Sequence, residues 1–327
     1  MAIPWREIQR QNFTHWDKLM SFLELDFSLS HTPSFSLNLP FRLAKKIVKN
    51  RLDDPILLQF LPQEAETKKS PLFLLDPVND RAFRKAPKLL HKYTGRALLI
   101  CTSACAMHCR YCFRQHFDYE TTDKAFKEEL QILRDDPSIT EIILSGGDPL
   151  SLSNVQLQGL IENLDAIPHL KRLRFHSRFP MGIPERIDAE FLNMLESIRL
   201  QTIFVIHSNH ANEWDEDIFD SLNKIQRLGI PVLCQTVLLK RINDNEKALH
   251  DLFTLLADHG IIPYYLHQLD PVEGAMHFEV SEEKGLELMK EISKSLSGYA
   301  VPRYVREIPG ATSKTAVTSA QASLTRG

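Results

Sequence analysis

From Arg96 onward, six short β-rich runs alternate with stretches of helical periodicity. That alternation is the pattern of βα units, which pair as a parallel sheet. The predicted strands are Ala97–Cys101, Glu141–Ser145, Arg172–His176, Thr202–His207, Val232–Leu238 and Ile262–His267. Between them lie the amphipathic stretches Ala125–Arg134, Val155–Leu164, Ala189–Ser197, Asp217–Leu228 and Lys247–His259, the last stopped by Gly260. From strand end to strand end the interval is about 45 residues after the first strand and about 30 thereafter, the usual size of a βα unit. The chain is therefore expected to be an α/β protein, a partial (β/α)6 barrel over residues 96–300 in place of a complete eightfold one. Residues 1–95 read differently. Helical patterns over Trp16–Leu25, Leu39–Asn50 and Asp54–Phe60, with Asp53-Asp54-Pro55 as a start signal, predict a mostly helical N-terminal region. Residues 301–327 form a C-terminal segment that becomes small and polar from Thr312.

In barrels of parallel strands the active site lies at the carboxyl ends, where several loops converge. Every predicted strand here ends in reactive polar residues. The first is followed by Cys105-Ala-Met-His-Cys109-Arg-Tyr-Cys112, and the others by Ser145-Gly146-Gly147-Asp148-Pro149, His176-Ser177-Arg178, His207-Ser208-Asn209-His210, Gln235-Thr236 and His267-Gln268-Leu269-Asp270. Three thiols are one short of a closed site, since structural zinc and closed iron–sulfur clusters take four protein ligands. A C-x3-C-x2-C loop after a strand thus points to a 4Fe–4S cluster with one iron left open. The competing reading is zinc, to which a C-x2-C pair alone is well suited. Zinc needs a second ligand pair, and the remaining cysteines, Cys101 and Cys234, are single residues in apolar runs.

Composition narrows the function classes. A net charge of −3 gives no electrostatic case for nucleic acid or a membrane surface. The basic stretch Arg42–Arg51 interleaves Leu43, Ile47 and Val48 at helical spacing and reads as a solvated helix face. No run approaches the length of a membrane span, and the first residues lack the apolar core of a signal peptide. Cysteines kept for metal chemistry suit a reducing compartment, so a cytoplasmic location is expected.

The cysteine spacing resembles the signature of the radical S-adenosylmethionine (SAM) enzymes, in which the amino and carboxylate groups of SAM chelate the open iron and reductive cleavage of the bound SAM yields a 5′-deoxyadenosyl radical. In those enzymes a GGDP-like segment binds the SAM amino group, and Gly146, Gly147 and Asp148 match it; His207 and Gln235 are read as further hydrogen-bonding partners of SAM. Over residues 70–318 the chain is similar to the lysine 2,3-aminomutases. The matching stretches are His91-Lys92-Tyr93 with Arg96, Cys105 to Arg114, Leu144 to Pro149, His207 to Glu213, Gln235 to Leu239 with Ile242-Asn-Asp244, Tyr264 to Asp270, and Ser297-Gly-Tyr-Ala-Val-Pro302 running to Lys314-Thr315. The short chain most resembles the subgroup that supplies β-lysine for modification of elongation factor P.

The resemblance implies pyridoxal 5′-phosphate (PLP) joined to Lys314, with Lys92, Tyr93 and Arg96 near its phosphate. It implies that Arg114 forks onto the carboxylate of an L-lysine substrate and that Asp270 and Glu307 receive its ε-ammonium. Lys92 stands where the family commonly has arginine, and Glu307 where it commonly has aspartate. An electron donor such as flavodoxin or ferredoxin, and a functional link to an elongation factor P lysyl-ligase, are implied in the same way. The long lysine-fermenting enzymes carry a cysteine cluster for structural zinc, whereas this chain has Asn245 at a partner position, so no zinc is expected. A PLP-free radical SAM methylase or maturase, and a non-enzymatic iron–sulfur sensor, are the rival readings.

Overall fold

The βα periodicity is realised as one ten-stranded sheet whose strands lie side by side in chain order. The structure, a computed structural model, describes residues 3–26, 33, 35–119 and 125–319. The strands are β1 (Arg84–Ala86), β2 (Leu89–Tyr93), β3 (Arg96–Thr102), β4 (Glu141–Gly146), β5 (Arg172–Ser177), β6 (Gln201–His207), β7 (Val232–Val237), β8 (Ile262–His267), β9 (Arg303–Arg306) and β10 (Thr315–Ala316). From β3 to β9 all neighbours are parallel. The edges are antiparallel: β1 and β2 fold back beside β3, and β10 beside β9.

Each parallel crossover carries a helix: Lys127–Asp135, Asn154–Asp165, Ala189–Ser197, Glu216–Arg227, Glu246–Asp258 and Glu282–Ser295. The last five start at side chains that accept a hydrogen bond from the first turn: Ser153, Asp188, Asp215, Asn245 and Ser281. Such caps satisfy amides that a helix start would otherwise leave unpaired. Asn245 thus has a local structural use, accepting from the Ala248 amide at 3.0 Å.

Side-chain alternation divides the sheet. On β5, Leu173 and Phe175 are buried against the helices, while Arg174 and His176 point to a central cavity. On β7, Val232 and Cys234 do the same opposite Leu233 and Gln235. One face of many strands lining one cavity requires the sheet to curl around it. Its two edges come close: Lys92 on β2 lies 2.6 Å from Glu307, just past β9. The barrel is therefore closed on this side by side-chain ion pairs in place of a backbone ladder.

The expectation for residues 1–95 needs correction. The helices are short, Trp5–Gln9, Trp16–Leu23 and Phe41–Lys46, and the predicted helix over Asp54–Phe60 is a single tight turn, Leu57–Gln59. Asp54 caps that turn as the signal indicated, accepting from the Ile56 and Leu57 amides at 2.8 and 3.1 Å. Prolines at 4, 40, 55, 62, 71 and 77 interrupt any longer helix. The end of this region instead supplies the β1–β2 hairpin, and Leu74 is tied to the loop after β8 by hydrogen bonds to Pro271 and Glu273 at 2.8 and 3.0 Å. Among the described residues, no helix is long and apolar enough to cross a membrane.

Candidate active site

The carboxyl ends of the parallel strands open into a cavity of about 590 Å³. Cys105, Cys109, Cys112, Gly146, Gly147, His207, Gln235, Lys92, Tyr93, Arg96, Arg114, Asp270, Glu307 and Lys314 all line it, as does Asp148. The sequence-derived set is thus brought together in one place.

The cysteine loop follows β3 and packs directly on the glycines that end β4. A Cβ at Gly147 would lie 2.4 Å from the Ala104 carbonyl oxygen, and one at Gly146, where φ is +110°, 2.8 Å from the Ile100 side chain. The glycine pair is therefore required by the loop's backbone as well as by any ligand above it. Gly147→Ala should force the two loops apart at a cost of about 1–3 kcal/mol. A lowered urea midpoint together with reduced iron incorporation would report it; an unchanged midpoint would contradict the packing argument.

Asp148 departs from a simple ligand role. Its carboxylate accepts from the Leu150 amide at 3.0 Å, the Ser177 hydroxyl at 2.9 and 3.0 Å, and the Arg178 amide at 2.8 Å. Burial raises its pKa against these hydrogen bonds. The carboxylate ties the end of β4 to the end of β5, which leaves the glycine backbone to meet a ligand.

All three loop cysteines are free thiols. Burial pushes Cys105 well up, and Cys112 up to about 11, with the neighbouring thiols adding to the shift. Burial thus favours the protonated thiol at Cys105 and Cys112, and a metal must displace those protons. Among the described residues no three His, Cys, Asp or Glu side chains converge as for a single ion. A four-iron cluster binds each thiolate to a separate iron, so three thiols spread around one end of the cavity fit it. Cys101 and Cys234 pack in the hydrophobic core, as the apolar runs indicated.

Three histidines also line the cavity. His176, His207 and His267 lie at the carboxyl ends of β5, β6 and β8, and His207 is in register with Gln235 on β7. Burial holds all three neutral: His207 is lowered to about 3, and His176 and His267 go well below the usual range, helped by Lys314. The Nε2 atoms of His176 and His207 are buried with no partner among the described residues. A neutral imidazole with an unused nitrogen is a hydrogen-bonding group waiting for a ligand.

Glu307, lining the same cavity, forms the hub of a half-buried charge cluster. Its carboxylate lies 2.6 Å from Lys92 and 3.1 Å from Lys314 and accepts from the Tyr93 hydroxyl. Burial works against its charge, but Lys314 and Lys92 hold its pKa below the usual value. Lys92 also donates to the Val78 carbonyl at 2.7 Å, and the Arg96 guanidinium stacks 4.5 Å from the Tyr93 ring. The sequence reading treats Lys92 and Tyr93 as one subsite and Glu307 as another; the fold makes them contiguous. The two cations and a phenol suit a phosphate.

Asp270, beside them, has its pKa pushed up to about 6, first by burial and then by Glu307, against the pull of Lys314 and Lys92. Arg114 is buried, and its Nε donates to Asp80 at 2.8 Å. Asp80, which sequence reasoning missed, orients the guanidinium while leaving its Nη donors for a carboxylate. A signal existed only in three dimensions, since 34 residues separate the pair.

Residues 99–253 match the radical SAM superfamily. Over 308 residues the chain is 41% identical to L-lysine 2,3-aminomutase of Escherichia coli, covering 91% of this chain and 90% of that one. It is 40% identical over 303 residues to L-lysine 2,3-aminomutase of Haemophilus influenzae, with the same coverage of both. To L-lysine 2,3-aminomutase of Clostridium subterminale it is 34% identical over 275 residues, 82% of this chain and 65% of that longer relative.

Proposed function

Since the chain belongs to the L-lysine 2,3-aminomutase family of radical SAM enzymes, we propose that it is a PLP-dependent isomerase that moves the α-amino group of L-lysine to the β-carbon. Its β-lysine would serve the modification of elongation factor P in the cytoplasm, with a flavodoxin or ferredoxin as electron donor. One observation carries the reading: the three thiols, Lys314 and charges of both signs open into one cavity.

When bound, the cluster and SAM supply a carbon-centred radical, and PLP supplies the carrier for the migrating nitrogen. Cys105, Cys109 and Cys112 would hold the cluster as thiolates. The glycine backbone at 146 and 147, with His207 and Gln235, would hold SAM. Lys92, Tyr93 and Arg96 would bind the PLP phosphate, and Lys314 its aldehyde carbon. Arg114, oriented by Asp80, would bind the substrate carboxylate. Asp270 and Glu307 would receive the ε-ammonium, Glu307 exchanging one of its present cations for that of the substrate. The neutral histidines add hydrogen bonds without adding positive charge beside Lys314.

Anaerobic reconstitution with iron, sulfide and PLP, followed by product analysis with L-lysine, tests the reading. β-Lysine should form, and glutamate and alanine should not rearrange comparably. Asp270→Asn should slow lysine rearrangement roughly a hundred- to five-thousandfold, the equivalent of about 3–5 kcal/mol for one partner of a buried charged contact. Ammonium binding needs the Asp270 carboxylate, so apparent lysine affinity should weaken as pH falls through about 6. Equal use of glutamate, or an Asp270→Asn protein indistinguishable from the parent, would leave an aminomutase of another substrate.

A further inference from the structure

β5 ends at Ser177, and the Asp148 carboxylate holds the following turn by accepting from the Arg178 amide at 2.8 Å. That turn sends the Arg178 side chain toward the cysteine loop. Its Nη1 donates to the Cys109 sulfur at 2.8 Å and to the Tyr111 hydroxyl. Its Nη2 donates to Gln59 Oε1 at 2.6 Å and Glu213 Oε2 at 2.9 Å. The Phe60 and Tyr111 rings flank the guanidinium at 5.6 and 5.7 Å. Glu213, with no exposed surface, is itself held by the Asn209 and His210 amides at 2.9 and 3.0 Å and by Gln59 Nε2 at 3.1 Å.

A buried ion pair is a weak way to gain stability, because desolvation offsets most of the attraction. This one is also placed unusually: the cation presents a donor to a sulfur that lines the cavity, and the anion sits on the far side of the guanidinium. We propose that Arg178 and Glu213 are positioning residues that orient Cys109 and set the reduction potential of the iron–sulfur cluster. The inference rests on reading Cys105, Cys109 and Cys112 as cluster ligands. Hydrogen bonds to cluster sulfurs, local charge and solvent exposure are what tune such potentials. Reduction adds one electron to the cluster, so a fixed cation against its sulfur favours the reduced form. An anion behind that cation tempers the effect, and water exclusion strengthens both. The potential matters here because the reduced cluster must pass its electron on to SAM.

The two members therefore act with opposite signs, which a merely structural pair would not do. Potentiometric titration followed by electron paramagnetic resonance, on anaerobically reconstituted full-length protein without SAM, reads the potential directly. Arg178→Met should shift it to more negative values, and Glu213→Gln to more positive ones. Arg178→Lys, which keeps the charge but not the fork, should fall between Arg178→Met and the parent. Gln59→Met, which disturbs the same network without changing charge, should stay near the parent. Shifts of the same sign for Arg178→Met and Glu213→Gln, or none in either with iron content retained, would overturn the proposal. Should Arg178→Met lose its cluster, the sign of the Glu213→Gln shift decides alone, a negative or absent shift being fatal. A parent protein that assembled no cluster would instead sink the ligand assignment on which the pair depends.

Discussion

Changing Cys105, Cys109 or Cys112 to alanine is expected to abolish reductive cleavage of SAM. Three thiolates already leave one iron without a protein ligand, and a second iron opened by mutation would leave the cluster labile. Cys109→Ala removes in addition the sulfur that accepts from Arg178 at 2.8 Å. Cys101→Ala is the internal control. That residue is 5% exposed, and its thiol meets backbone groups, the Leu99 carbonyl at 3.6 Å among them, so its loss should cost about 1 kcal/mol of stability and no chemistry. Visible absorption of the reconstituted proteins and release of 5′-deoxyadenosine under a strong reductant provide the measurement. A Cys109→Ala protein that still released 5′-deoxyadenosine would remove the basis for the cluster assignment, and a parent that released none would favour an iron–sulfur sensor.

Lys314→Ala should eliminate lysine rearrangement while sparing the cluster. The two functions use different residues lining the cavity. The fold should tolerate the change: Lys314 is 30% exposed along its side chain, and Glu307 keeps Lys92 at 2.6 Å and the Tyr93 hydroxyl as partners. Loss of such a partly exposed ion pair costs about 0–1 kcal/mol. Borohydride treatment of the PLP-loaded parent should trap a pyridoxyl group on the peptide containing Lys314, and the variant should show the iron–sulfur spectrum with no adduct. An adduct mapped to another lysine would overturn the assignment. No adduct in the parent, with SAM cleavage intact, would favour a PLP-free radical SAM methylase or maturase.

The readable parts of this molecule were those whose information is local. Strand positions followed from apolar runs bounded by polar loops, and all six predicted parallel strands are present within a residue or two. The helices between them followed from amphipathic periodicity, and their starts are fixed locally by capping side chains such as Ser153 and Asp188. The seventh parallel strand, Arg303–Arg306, escaped because four residues carry too little alternation to stand out. The N-terminal region is less helical than expected for a related reason: short apolar patterns look helical, but frequent proline and tertiary docking shorten two of the three predicted helices and reduce the third to a single turn.

Chain order alone determined which residues end strands, and hence that the three thiols, the Gly146–Gly147 pair, His207, Gln235 and Asp270 share one rim. Spacing alone indicated a cluster with an open iron. Only the tertiary structure decided that Tyr93 and Glu307, 214 residues apart, form one half-buried group. They meet because the sheet curls until its edges nearly close, a property of accumulated strand twist that no segment of sequence carries by itself. The same holds for Arg178, Glu213 and Gln59. Arg178 reads in sequence as one of several polar residues at strand ends, Glu213 as the end of a matching stretch and Gln59 as part of a helical pattern; each is bound to the others because water is excluded where β5, β6 and the N-terminal region converge, so that a buried charge there must find its partner across the fold.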